Sequence, residues 1–193
     1  VTARPQITVF VSGEGSLFRY LHEQRTSLGF EIALLVSSRM DSPAVSFAER
    51  HHIPVEKFDS QSGEVLRHRL RDLNVEGILL LGFLKQVPAS IVRDFAGRII
   101  NTHPSLLPKY GGKGMFGLNV HRAVLAAGET ESGCTLHFVT ENYDEGKILS
   151  QKKIKLASNE TPESLQIKIK ELEKENLAET LPVFFSHLKR TLQ

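Results

Sequence analysis

Ile7-Thr8-Val9-Phe10-Val11-Ser12-Gly13-Glu14-Gly15-Ser16 joins a short apolar, β-favouring run to a tight glycine turn, and Leu17 to Leu28 then carries apolar residues at helical spacing. A strand, a turn and a helix in that order begin an α/β unit. The pattern recurs along the chain. Phe30 to Val36 reads as a second strand, Pro43 to His51 as a helix ended by Ile53-Pro54, and Val55 to Phe58 as a short third strand. Gly63 to Leu73 has helical spacing, and Val75 to Leu81 is an uninterrupted apolar run, as expected of a strand buried on both faces. Pro88 to Phe95 opens with proline at a helix start, and Arg98 to Asn101 is a brief strand that ends in polar residues. Repetition at this size implies a Rossmann-like, doubly wound, mainly parallel α/β sheet.

Beyond Asn101 the texture changes. A loop rich in Pro, Gly and Lys runs to about Gly117, before a helix over Leu118 to Ala127. Long irregular loops inside compact domains are usually functional. Thr135 to Val139 and Ile148 to Ile154 read as two strands joined by a polar stretch, an antiparallel addition to the sheet near the C-terminal part. Thr161-Pro162-Glu163 starts a last amphipathic helix, with a break expected at Pro182. The 193 residues suit a single domain over 1–193.

Composition narrows the classes. Hydrophobic residues at 40% and charged residues at 24% are ordinary for a globular protein. The 24 basic and 22 acidic residues are spread along the chain, so no basic block points to nucleic acid or an anionic membrane. The longest apolar runs fall short of a membrane span. Cys134 has no partner for an intramolecular disulfide, and no segment has the order of a signal peptide, so a cytoplasmic location is expected.

The densest polar cluster is Asn101-Thr102-His103-Pro104-Ser105, placed where the fifth strand should end. In open α/β sheets, ligands gather beyond the carboxyl ends of strands. Side chains two apart on a strand point the same way, so Asn101 and His103 should face one space. The plainer reading is that they satisfy turn backbones. Gly13 and Gly15 allow backbone N–H groups to approach an anion at a helix start, or merely permit the turn. A metal site built from His103, His121, His137 and Asp144 fits no compact ligand spacing, and none is expected.

Asn101 to Pro108, together with Gly133-Cys134-Thr135-Leu136-His137-Phe138-Val139 and Asp144-Glu145-Gly146, resembles the folate-dependent formyltransferase family. The likeness runs over essentially the whole chain. It implies transfer of a formyl group from N10-formyltetrahydrofolate, as cosubstrate and without metal, to the amine of glycinamide ribonucleotide. Relatives within the family act instead on water, as formyltetrahydrofolate hydrolases, or on amino sugars; a non-catalytic folate- or nucleotide-binding module is the reading from another class. Asn101 and a protonated His103 match the family's oxyanion donors, and Asp144 matches the carboxylate that favours the charged ring and relays protons.

By the same resemblance the turn Gly13, Gly15 and Ser16 holds the acceptor's phosphate. Here it departs from the usual Gly-Asn-Gly-Ser-Asn, with Glu14 and Leu17 in place of the two asparagines. The folate pocket falls on Phe83, Leu84, Lys85, Gln86, Val87, Thr140 and Glu141, with Lys85 replacing an arginine. Lys113, in the loop from Tyr110 to Gly117, either approaches the acceptor or rides an ordinary surface loop. Glu175, followed by Asn176, resembles an acceptor-side Glu-His pair or belongs to a solvated face. His121 begins a helix near the site. His137, in an alternating strand, reads better as a half-buried, satisfied ring than as a catalytic group. The partners expected are small molecules only, with the chain a monomer or homodimer.

Overall fold

In the computed structural model, which describes residues 4–191, thirteen elements follow one another: β1 (Gln6–Val11), α1 (Ser16–Leu28), β2 (Glu31–Ser37), α2 (Pro43–Arg50), β3 (Val55–Lys57), α3 (Gly63–Asp72), β4 (Gly77–Leu80), α4 (Ala89–Asp94), β5 (Ile99–His103), α5 (Leu118–Ala126), β6 (Glu131–Phe138), β7 (Ile148–Lys155) and α6 (Pro162–Thr191). Each strand and helix read from the sequence is present, with ends moved by a few residues.

The strands form one seven-stranded sheet in the order β3-β2-β1-β4-β5-β6-β7. β1 to β5 run parallel, while β6 is antiparallel to β5 and to β7. The antiparallel addition expected from the polar connection after Val139 is therefore present. The chain leaves β1 toward β2 on one side and places β4 on the other. That reversal opens a crevice beyond the carboxyl ends of β1 and β4, where ligands settle in such sheets.

Strand alternation divides the core between the two faces. Ile7, Val9 and Val11 join α1, α2 and α6 on one side, with Phe18, Leu21, Leu177, Leu181 and Phe184. Phe10, Leu34, Val36, Ile78 and Leu80 face α3 and α4 on the other. A satellite cluster holds α5 against α6 through Val120, Val124, Cys134, Leu165 and Ile169. Each fully buried aliphatic side chain contributes about 1.5–3 kcal/mol, so this two-sided burial is what makes the sheet a stiff platform.

Two local expectations are corrected. Pro88 stands just before α4 rather than in its first turn. The last helix also passes through Pro182 without ending. Proline removes one backbone donor there, yet Phe184, Phe185 and Leu188 beyond it are buried against the sheet and α1 side. The apolar burial of that final stretch outweighs the missing hydrogen bond. Among the described residues, no helix is long and apolar enough to cross a membrane.

Candidate active site

The crevice at the sheet's carboxyl end contains a cavity of about 640 Å³. Its walls come from the turn after β1, the segment after β4, the end of β5, the loop before α5, the β6–β7 connection and one face of α6.

The turn after β1 is shaped by Gly15, whose φ of 66° lies in the left-handed region and whose missing Cβ would come within 2.6 Å of Ala44 Cβ. Only glycine fits there. Helix α1 starts immediately afterwards with no side-chain cap, leaving first-turn N–H groups for a ligand. Gly13, Gly15 and Ser16 all line the cavity, as does the exposed Glu14. Leu17 packs into the core beside Phe18 and Leu21 while also bordering the cavity.

Across the crevice, Phe83, Leu84, Lys85, Gln86 and Val87 form a wall. Phe83 is held edge-on by Phe10 and Phe58, at ring separations of 5.2 and 4.9 Å. Ser12 ties this wall to the glycine turn, because the Leu84 N–H donates to its hydroxyl at 2.9 Å. Gln86 donates to the Glu141 carbonyl at 3.0 Å, closing the wall onto the β6–β7 connection where Thr140 and Glu141 also face the cavity.

Asn101, His103, His137 and Asp144 meet at the centre. Register explains the first meeting: in the antiparallel ladder Asn101 lies opposite His137, and their side chains approach to 3.1 Å between Nδ2 and Nε2. His137 Nδ1 lies 2.9 Å from the Phe138 carbonyl oxygen and therefore carries a hydrogen. In that tautomer Nε2 accepts from Asn101, which keeps a second amide hydrogen to offer. His137, fully rather than half buried, thus has a protein partner at each ring nitrogen, and it orients Asn101.

Asp144 arrives from the opposite direction. It sits at φ 55°, a backbone region that Asp enters more readily than most residues. Gly146 follows, where any side chain would collide with the Phe138 carbonyl, so the connection can fold back tightly over the end of β6. Asp144 Oδ2 lies 3.6 Å from His103 Nδ1 and accepts from the Gly112 N–H at 2.7 Å; Oδ1 lies 3.5 Å from His137 Nε2. Burial pushes its carboxyl up, but the His137 and His103 rings beside it and the Gly112 N–H together hold it below the usual carboxylate value.

His103 is only 4% exposed. Its Nε2 donates to the Tyr110 carbonyl at 2.8 Å, and its Nδ1 faces Asp144. Both neighbours are acceptors, which suits a ring with a hydrogen on each nitrogen. Burial nevertheless pulls its pKa below the usual 6.5, while Asp144 and the Tyr110 carbonyl act in the other direction, as expected of a carboxylate that favours the charged ring. His121, buried and lining the same cavity, is pushed down to about 4 by burial, with Lys170 and His103 adding to the effect. Its Nδ1 has no protein partner.

Helix α6 supplies residues that the sequence reading did not single out, while Glu175 falls on the solvated face that was one of its two readings. Glu175 points away from the cavity, 63% exposed, with Lys152 3.5 Å away. Asn176 is buried and accepts from the Ser150 hydroxyl at 2.8 Å. Gln166, Lys170 and Glu173 reach the cavity instead. Their spacing of four and three residues puts them on one helical face, and polar residues flanking the buried Leu165 and Ile169 were the available signal. Thr102 donates to Glu173 Oε1 at 2.6 Å. Lys113 is exposed at the cavity's edge. Among the described residues, no group of three or more His, Cys, Asp or Glu is arranged to hold a metal.

Burial raises Glu173 to about 7, against the Thr102 hydrogen bond and Lys170. A raised acid costs folding free energy once the unfolded chain ionises while the folded one keeps its proton, so the penalty grows from about pH 4.5 to about pH 7 and persists above. Glu173→Gln is therefore expected to melt above the parent at pH 8 and level with it near pH 4.5, by roughly 1–3 kcal/mol at the higher pH. A melting difference that does not change with pH would remove this assignment.

An amide, an imidazole and a carboxylate meet in the crevice beyond the carboxyl ends of an open α/β sheet, the place where ligands settle in such folds. Comparison makes the class specific. A formyl transferase family profile matches residues 5–181, and the chain belongs to that family. It is 42% identical over 172 residues to the phosphoribosylglycinamide formyltransferase of Arabidopsis thaliana chloroplasts, covering 84% of this chain and 59% of that protein. Its identity to the corresponding chloroplast protein of Vigna unguiculata is 40% over 175 residues, covering 86% and 56%. The chain thus spans less than two thirds of either plant relative's length. The crystal structure of glycinamide ribonucleotide transformylase 1 from Symbiobacterium toebii superposes with a TM-score of 0.87 at 27% identity, covering 97% of this chain and 90% of that one.

Proposed function

We propose that the chain transfers a formyl group from N10-formyltetrahydrofolate to the amine of glycinamide ribonucleotide, a step of purine synthesis. The observation that carries this reading is the meeting of Asn101, His103 and Asp144 in the cavity between a glycine turn and an apolar wall. The names of the relatives support the acceptor.

In this reading Asn101 donates its free amide hydrogen to the oxygen that becomes negative as the amine attacks. His103 adds a second donor when protonated. Asp144 favours that protonation by its charge and takes part in moving protons from the attacking amine toward the departing folate nitrogen. Phe83, Leu84, Val87, Thr140 and Glu141 border the folate, with Lys85 and Gln86 at its polar edge. The uncapped start of α1, with Gly13, Gly15 and Ser16, takes the acceptor's phosphate, and Lys113 and His121 lie on the acceptor's side. The cytosol suits the single buried cysteine.

Glu14 favours a second reading in which the acceptor is water or an amino sugar, because a carboxylate beside the turn repels a phosphate. Incubating the purified protein with the formyl donor, with and without glycinamide ribonucleotide, separates the two. Formylated product that appears only with the acceptor is expected. Formate released equally without it would replace the first reading by hydrolysis, and donor binding without turnover would remove glycinamide ribonucleotide and water alike as acceptors.

A further inference from the structure

We infer that Glu129, which lies outside the cavity, is a positioning residue for His103 and acts through Tyr110; the inference rests on the formyl-transfer reading. Tyr110 occupies the left-handed region, with φ 58°, although the two residues that follow it are glycines. A non-glycine residue is strained in that region and stays there only where its surroundings hold it. The side chain explains why a glycine does not take this position too. Its hydroxyl donates to Glu129 Oε1 at 2.9 Å, and its ring packs against the cluster formed by Val120, Val124 and Cys134. Lys109 Nζ meets the same Glu129 oxygen at 2.8 Å.

Anchoring the phenol fixes the backbone it hangs from. The Tyr110 carbonyl is the acceptor for His103 Nε2, and two residues on, the Gly112 N–H is the donor to Asp144 Oδ2. One three-residue segment therefore sets the imidazole and the carboxylate together. Glu129 stands at the turn between α5 and β6 and does not line the cavity. The Ser105 hydroxyl also donates to the Lys109 carbonyl at 2.7 Å, so the loop keeps an attachment when Glu129 is changed. The titratable groups that face His103 are Asp144 and His137 from the β6–β7 side and His121 from α5.

Glu129→Ala, Glu129→Gln and Tyr110→Phe in the full chain provide the test, read by steady-state kinetics across pH, thermal melting and long-range ¹H–¹⁵N spectra of the histidine rings. Glu129→Ala and Tyr110→Phe are expected to lower kcat about 10-fold with both KM values little changed, since small misplacements of a reacting group are costly. Glu129→Gln still offers an amide oxygen to the tyrosine hydroxyl and should keep most of the activity. In the two damaging variants the His103 Nε2 resonance should shift and its titration midpoint fall, because an acceptor becomes less well placed. Parent-like kcat and His103 resonances in Glu129→Ala would overturn the inference, as would Glu129→Gln losing activity and melting temperature as fully as Glu129→Ala. If the parent chain itself transfers no formyl group, that reading fails separately, and the spectra of the ligand-free protein still decide whether Glu129 positions the ring.

Discussion

Asn101→Ala is expected to lower turnover by about 10²- to 10³-fold, the usual cost of removing one preorganised oxyanion donor. The size follows from how the amide is held. Its partner His137 lies directly opposite in the β5–β6 ladder, and the two groups stand 3.1 Å apart. A donor placed beforehand needs no reorganisation as charge develops, so little can replace it. The substitution should leave the fold intact, because Asn101 is only half-buried and its backbone remains paired in the sheet. The measurement is kcat in a variant with parent-like circular dichroism and melting temperature. Near-parent turnover would remove Asn101 from the oxyanion role.

Asp144→Asn should reduce kcat by on the order of 10²-fold or more, within the range of general acid–base contributions. Its pH profile should change as well. Burial already draws His103 below its usual value, and Asp144 is the foremost group resisting that. Without the carboxylate, the charged ring is lost at a lower pH, so activity that needs it should decline earlier as pH rises. The sign is fixed by the charge: an anion removed beside an imidazole always disfavours the imidazolium. Equal kcat–pH profiles for parent and variant would show that the two groups are not coupled.

The two substitutions also separate readings of the trio. If Asn101 alone stabilises the oxyanion, its loss should lower kcat with little change in the shape of the pH profile. If Asp144 acts mainly through His103, its loss should change both. The same logic applies at Glu129, where the effect passes through a carbonyl rather than a charge.

The sequence by itself determined the α/β class, the antiparallel addition, and the placing of Asn101 and His103 on one side of a strand end. These follow from local rules: apolar periodicity sets element type, and alternation sets which side chains share a face. Tertiary structure decided the partners. His137 faces Asn101 through a strand register that no local pattern specifies, and Asp144 reaches His103 because the Gly112 N–H and a tight return at Gly146 bring a distant connection inward. The acceptor-side helix shows the same division. An amphipathic helix was legible, but which turn faces the cavity depends on how Leu165, Ile169 and Leu177 seat against their neighbours, and that seating selects Glu173 rather than Glu175. A displacement of two residues rotates a side chain by about 200° around the helix axis, so packing alone chooses which carboxylate meets the cavity.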